Sequence, residues 1–182
     1  MKTKLLITTI LILSYSQLFA QKYMSRNANL SFFSSTPVED IEAHNHQGSC
    51  VVDFSNGNVA FQALMKGFEF KKALMQEHFN ENYVESKKYP KTTFDGKITN
   101  YTSVDLKKEG VYQVNVTGKL TIHGVTKNIE TPGTIEVKGG DVILKSKFKV
   151  KPADYNIKIP NVVRKNIAEI VEITVDAVCS PI

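Results

Sequence analysis

The chain has 182 residues, 42% of them hydrophobic, and a formal net charge of +5. That length favours one domain with a core of its own, and so mild a charge does not argue for nucleic acid. No basic run is interleaved with stacking aromatics, which excludes a single-strand binder; no nucleic-acid partner is expected.

Residues 1–20 have the pattern of a secretory signal peptide. Lys2 and Lys4 give a positive start, 5–13 is apolar apart from two threonines, and Leu18-Phe19-Ala20 offers a small residue before a cut. The apolar run is too short to span a bilayer and nothing later approaches that length, so no transmembrane segment is expected. Cleavage after Ala20 would leave a mature domain, 21–182, exported to the periplasm or secreted. Gln21, not a cysteine, follows the cut, so lipid anchoring is not suggested. Losing Lys2 and Lys4 lowers the charge from +5 to +3.

His44-Asn45-His46 comes next. On a strand both imidazoles would face one side and could share a metal. No third ligand stands at a diagnostic spacing, so a solvated loop pair is the favoured reading and no metal is expected.

From Cys50 onward the dominant signal has period two. Cys50, Val52 and Phe54 form one apolar face, and Val59, Phe61, Ala63 and Met65 another. Ser55-Asn56-Gly57-Asn58 lies between them, and Asn-Gly is a strong hairpin signal. The pattern then changes. Leu74, Met75, His78 and Phe79 recur at helical spacing and predict a short helix within 70–83. A loop follows to Tyr89-Pro90, and 92–98 resumes a strand. Glu109-Gly110 precedes 111–122, where Tyr112, Val114, Val116, Leu120 and Ile122 alternate with polar residues. His123-Gly124 separates Ile122 from Val125, and Gly139-Gly140 joins two further runs. Val142, Leu144, Phe148 and Val150 oppose Lys145, Lys147 and Lys149. Near the end, Val171, Ile173, Val175, Ala177 and Cys179 alternate with Glu172, Thr174 and Asp176.

About eight strands with one apolar face each, and one short helix, predict an all-β antiparallel meander. The helix cannot cover every face, so the sheet must close into a barrel or split into a sandwich. An eight-stranded barrel is wide enough to be filled by side chains or to hold one small ligand, and the pattern leaves both open. Export makes a Cys50–Cys179 disulfide chemically open if the two Cα atoms lie within about 7 Å. Two separate buried thiols is the alternative.

Several runs resemble the YceI-like family. They are Glu77-His78-Phe79-Asn80-Glu81-Asn82-Tyr83, Lys88-Tyr89-Pro90, Thr93-Phe94-Asp95-Gly96, the stretch GKLTIHGVTK from Gly118 to Lys127, and Asp154-Tyr155-Asn156-Ile157. They occur in the family's order and span most of the mature chain. The start departs from the family, whose members often open with an Asp followed by His-Ser; here the chain reads Ser25-Arg26-Asn27-Ala28-Asn29. The resemblance implies an exported, lipocalin-like eight-stranded barrel with one short helix. Some members hold a long isoprenoid chain in the lumen.

On that basis the expected ligand contacts are Phe61, Met65, Phe68 and Phe70, then Met75, His78 and Phe79 at the opening. Phe94, Leu120, Ile122, Phe148 and Ile157 complete the lumen, with His123 at its mouth. For Met75 and Phe79, packing of the barrel end is the competing role. For His123 the competing readings are a catalytic base, a metal ligand or a turn marker, and the family's His-Gly hairpin signature favours the turn. Lys145, Lys147, Lys149 and Lys151 form a stripe that could meet anionic lipid transiently, although a solvated outer face is the favoured reading. Monomer and homodimer both stay open.

The resulting expectation is a binding protein, not an enzyme. It carries or sequesters an apolar isoprenoid-type lipid and needs no cofactor, with the helix and loop over 70–90 as its gate. The alternatives are a dry-barrel interaction module and a small lipid-modifying hydrolase or isomerase using His78 or His123. Neither a Gly-x-Ser-x-Gly elbow nor a phosphate loop supports the last.

Overall fold

The computed structural model describes residues 21–182. The expected signal segment, 1–20, lies outside the described residues. Nine antiparallel strands follow in order: β1 (Lys22–Ser35), β2 (Asp40–Asp53), β3 (Asn58–Leu64), β4 (Glu69–Phe70), β5 (Lys91–Ile98), β6 (Gly110–Ile122), β7 (Val125–Lys138), β8 (Asp141–Val150) and β9 (Val171–Pro181). The sheet order is β1-β9-β8-β7-β6-β5-β3-β2-β4, and β1 also pairs with β2. That pairing closes an eight-stranded barrel and leaves the two-residue β4 as an addition beside Ala43 and His44. One short helix, α1 (Ala73–His78), runs on into a single π-helical turn at Phe79–Tyr83.

The turns follow from backbone freedom. Gly139 and Gly140 both take positive φ, 60° and 88°, between the paired residues Lys138 and Asp141. His123 and Gly124 do the same at 50° and 73°, between Ile122 and Val125. Two successive positive φ values give a tight turn whose twist matches that of the flanking strands. Histidine is among the few non-glycine residues enriched in that conformation.

The alternation predicted for β3, β6, β8 and β9 turns its apolar members inward. The sequence pattern was weakest where the strands are irregular. β1 and β2 shift register between Ser25 and Ala28 and again between Ala28 and Leu30. A bulge interrupts period two, and polar Ser25 and Asn45 point inward among apolar neighbours. Asn45 is satisfied there: its Nδ2 donates to Leu64 O at 2.8 Å, and its Oδ1 accepts from Gln47 N at 2.9 Å.

His44 and His46 therefore sit on β2, not on the solvated loop expected from sequence. Their rings are parallel on the outer face with centroids 6.2 Å apart. His46 Nδ1 lies 2.6 Å from Asn29 Oδ1, and His44 Nε2 lies 3.2 Å from Glu42 Oε1. Among the described residues no group of three or more His, Cys, Asp or Glu is placed to hold a metal.

Two clusters fill the barrel unequally. The first closes the end that carries Gln21, Ile182 and the 54–57 and 139–140 turns; Tyr23 meets Phe54 there edge-on at 5.7 Å. Cys50 and Cys179 belong to it as buried free thiols. They stand on β2 and β9 with β1 between them, Cys50 opposite Ser25. The adjacent Cys179 thiol, and then burial, push the Cys50 thiol well above its ordinary range. The second cluster gathers Leu30, Met65, Phe68 and Val84 at the other end, beneath α1. Among the described residues no helix is long and apolar enough to cross a membrane.

Candidate functional site

Between the two clusters the barrel encloses a cavity of about 440 Å³. That lies within the range of about 300–1,000 Å³ usual for small-molecule pockets. Its wall is the inner face of the sheet. Phe61, Phe94, Leu120 and Ile122 come from the wall formed by β3, β5 and β6, Phe148 from β8, and Ile173 and Val175 from β9.

The packing of Phe94 depends on two glycines. Gly96 and Gly118 face each other across β5 and β6. A Cβ on Gly118 would lie 2.5 Å from Gly96 Cα and 2.6 Å from the tip of the Phe94 ring. Only with both side chains absent can this ring lie flat along the wall and leave the space above it open.

Four phenylalanines close the α1 end. Phe79 packs against Phe32, Phe68 and Phe70 at ring separations of 5.5, 5.6 and 5.1 Å. Phe79 packs the barrel end, and the same residue also lines the cavity. Met65 and Phe68 are buried beside it, and Met75 and the exposed His78 line the rim. Ile157 lines it from the segment that follows β8.

His123 is the one expected contact that is not on the cavity wall. Its ring is buried, 9% exposed, and turned to the segments beside the turn. Nδ1 lies 3.0 Å from Tyr155 O, and Nε2 lies 2.7 Å from Glu85 Oε2. A carbonyl oxygen only accepts, so Nδ1 carries a proton and donates it. Tyr89 packs edge-on against the ring at 4.4 Å. The only three non-glycine residues with positive φ among those described are Glu85, His123 and Asn156, at 45°, 50° and 57°. Glu85 bonds His123 directly, and Asn156 follows Tyr155, whose carbonyl His123 reaches. The histidine is a clasp joining the β6–β7 turn to two long connections, and it keeps both ring nitrogens occupied.

Polar groups cluster at the rim. Glu39, in the β1–β2 connection, accepts from Lys72 Nζ at 3.1 Å and from Asn166 Nδ2 at 3.3 Å. Those two donors hold its carboxyl below the usual carboxylate range. Ala168 N donates to Ser34 Oγ at 2.9 Å. The 151–170 connection is thereby strapped across the α1 end. Burial raises the Tyr83 phenol above its ordinary range, so it lines the cavity as a neutral group. The lysines of β8 look outward instead: Lys145 pairs with Asp176 at 3.6 Å and Lys147 with Glu172 at 2.7 Å.

Several lining residues carried no signal in the sequence. Leu30, Phe32 and Ile41 lie on the irregular strands β1 and β2, and Thr131 and Ser146 are polar. Inward position, not residue type, makes them part of the wall.

A closed antiparallel barrel around an apolar cavity defines a lipocalin-like protein. The YceI-like domain model matches residues 25–179, and the chain belongs to that family. Among solved structures, the chain is similar to a polyisoprenoid binding domain from Saccharophagus degradans implicated in plant cell wall breakdown. The two share 14% identity at a TM-score of 0.76, over 90% of this chain and 99% of that one. Burkholderia cenocepacia BcnA is similar at 19% identity and a TM-score of 0.69, over 83% and 95% of the two chains. The Campylobacter jejuni YCEI protein is similar at 20% identity and 0.53, over 75% and 83%. These likenesses establish the fold. No curated protein matches the chain.

Proposed function

We propose that this chain is an exported binding protein that holds a long isoprenoid or similar apolar lipid in its barrel, for carriage or sequestration. The observation that carries the reading is the cavity of about 440 Å³, walled mainly by phenylalanine, isoleucine, leucine and valine, with few polar groups among its lining. Transfer of apolar area out of water is worth about 25 cal/mol per Å² before the cost of association. A prenyl tail needs no other attraction. The polar groups near Glu39, Lys72 and Asn166 are suited to orienting a head group. The described structural relative from Saccharophagus degradans is a polyisoprenoid binding domain, which supports the same ligand class. Binding is favoured over catalysis because His123 is consumed as a clasp, which leaves His78 as the sole imidazole on the wall.

Mass spectrometry of an organic extract tests this, using mature protein purified without detergent from its own host. The expected result is a near-stoichiometric prenyl-type lipid. Phe94→Arg, which places a charge on the cavity wall, should abolish the co-purified lipid while far-ultraviolet circular dichroism stays that of a barrel. A clean extract from wild-type protein, with a stable protein partner in pull-downs, would replace this reading with a dry-barrel interaction module.

A further inference from the structure

The barrel is not hydrogen-bonded all the way round. β7 runs from Val125 to Lys138 and β8 from Asp141 to Val150, but their ladder starts at the Lys138–Asp141 turn and ends at the pair Gly133–Ser146. Beyond that pair, 125–132 bonds only to β6 and 147–150 only to β9. No backbone hydrogen bond among the described residues joins these two edges to each other or to another segment.

The reason is Pro132. Its carbonyl is turned toward β8, where Ser146 Oγ donates to it at 2.9 Å. A strand residue directs its N–H to the same side as its C=O, and proline has no N–H. The ladder loses a donor at the point where it stops. Thr131 Oγ1 also reaches this carbonyl, at 3.1 Å, and lies 3.2 Å from Ser146 Oγ. The two hydroxyls form the sill of the gap. Its top is closed by the clasp of His123 on Tyr155 O, which draws the chain leaving β8 back to the β6–β7 turn.

A comparable splay occurs elsewhere, and there it is plugged. β2 outruns β3, and β4 pairs with Ala43 and His44 in the space while Asn45 ties down Leu64 O. Between β7 and β8 no strand does this among the described residues. Open strand edges invite aggregation and are normally covered. This one opens on the cavity: Ile129 and Thr131 on one edge, and Ser146, Phe148 and Val150 on the other, all line it. The α1 end, by contrast, is packed with four phenylalanines and crossed by the Glu39 tether to Lys72 and Asn166.

We infer that the gap between 125–132 of β7 and 147–150 of β8 is a lateral portal through which an apolar chain enters and leaves the cavity. The inference rests on the cavity's being a ligand site and assigns its route to the side wall instead of the helix-covered end. The sill and clasp limit its height, and the Ile129, Phe148 and Val150 side chains present an apolar threshold.

Glu130 and Lys149 are exposed and would face each other had the ladder continued from Gly133–Ser146. The test joins them in the double variant Glu130→Cys/Lys149→Cys with a short bis-maleimide. Cys50 and Cys179 are 3% and 0% exposed, and wild-type protein treated with the same reagent controls for them. Uptake of N-phenylnaphthylamine, a small apolar dye, is followed by stopped-flow fluorescence in bridged and unbridged protein. Bridging should slow uptake about tenfold or more while the equilibrium affinity stays unchanged, because it obstructs the route and leaves the cavity intact. Equal rates in bridged and unbridged protein would overturn the portal and leave the cavity reading standing. Failure of unbridged and wild-type protein to take up the dye at all would overturn both.

Discussion

At the residue scale, Gly118 and His123 govern the site without belonging to an apolar face. Gly118 lets the Phe94 ring lie along the wall, and a methyl group there would meet Gly96 Cα and Asp95 O at 2.5 and 2.6 Å. Backbone atoms cannot swing aside as a side chain can. Gly118→Ala should therefore cost about 2 kcal/mol by overpacking, read from urea unfolding. It should also lower dye capacity by tilting Phe94 into the cavity. His123 holds a left-handed turn position and two contacts to buried or strapped segments. His123→Ala removes both contacts and puts alanine where φ is 50°. A loss of about 2 kcal/mol in unfolding free energy is expected, with His123→Asn intermediate, because asparagine tolerates the turn but cannot span both partners.

At the element scale, the strap of 151–170 over the α1 end depends on a charge. Lys72 and Asn166 hydrogen-bond to Glu39 and lower its carboxyl from the ordinary value. A group whose folded value is depressed stabilises the fold fully above its unfolded value, about 4.3 for glutamate, and loses that contribution as pH falls through the folded value. Wild-type protein should thus be more stable than Glu39→Gln near neutral pH, and the difference should vanish on acidification below that point. Urea midpoints for the two proteins across the acid range measure it. A difference that persisted in acid would place the tether's strength in hydrogen bonding alone, not in charge.

At the scale of the whole molecule, the barrel has a densely packed end and, beside it, a cavity. A ligand that binds only the folded state stabilises it by mass action, by about 2.7 kcal/mol at a hundredfold excess over Kd. For a domain of this size that raises Tm by roughly 5–10 °C. Protein carrying its lipid should therefore melt that much higher than the same protein after organic extraction and refolding. Coincident melting curves would indicate that the cavity contributes nothing to binding.

The alternation of Tyr112, Val114 and Val116 on β6, and of Ile173, Val175 and Ala177 on β9, was legible in the sequence because period two follows directly from strand geometry. So were the 123–124 and 139–140 turns, whose residues suit the positive φ they adopt. With one apolar face per strand and too little helix to cover them, closure of the sheet was the leading solution. Ile41 and Ala43 escaped that reading because inward Asn45 and the bulges of β1 and β2 break the alternation. His44 and His46 read as loop for the same reason. The tertiary structure decided the rest. A run of apolar residues states which face turns inward, but not whether opposing faces meet, and here Gly96 and Gly118 keep the Phe94 ring flat against the wall. His123 has no strand neighbour that announces its role; its partners, Glu85 and Tyr155, come from connections far away in the chain. Pro132 marks a break only once the strand beside it is known, because a missing N–H matters only where a partner would have accepted it.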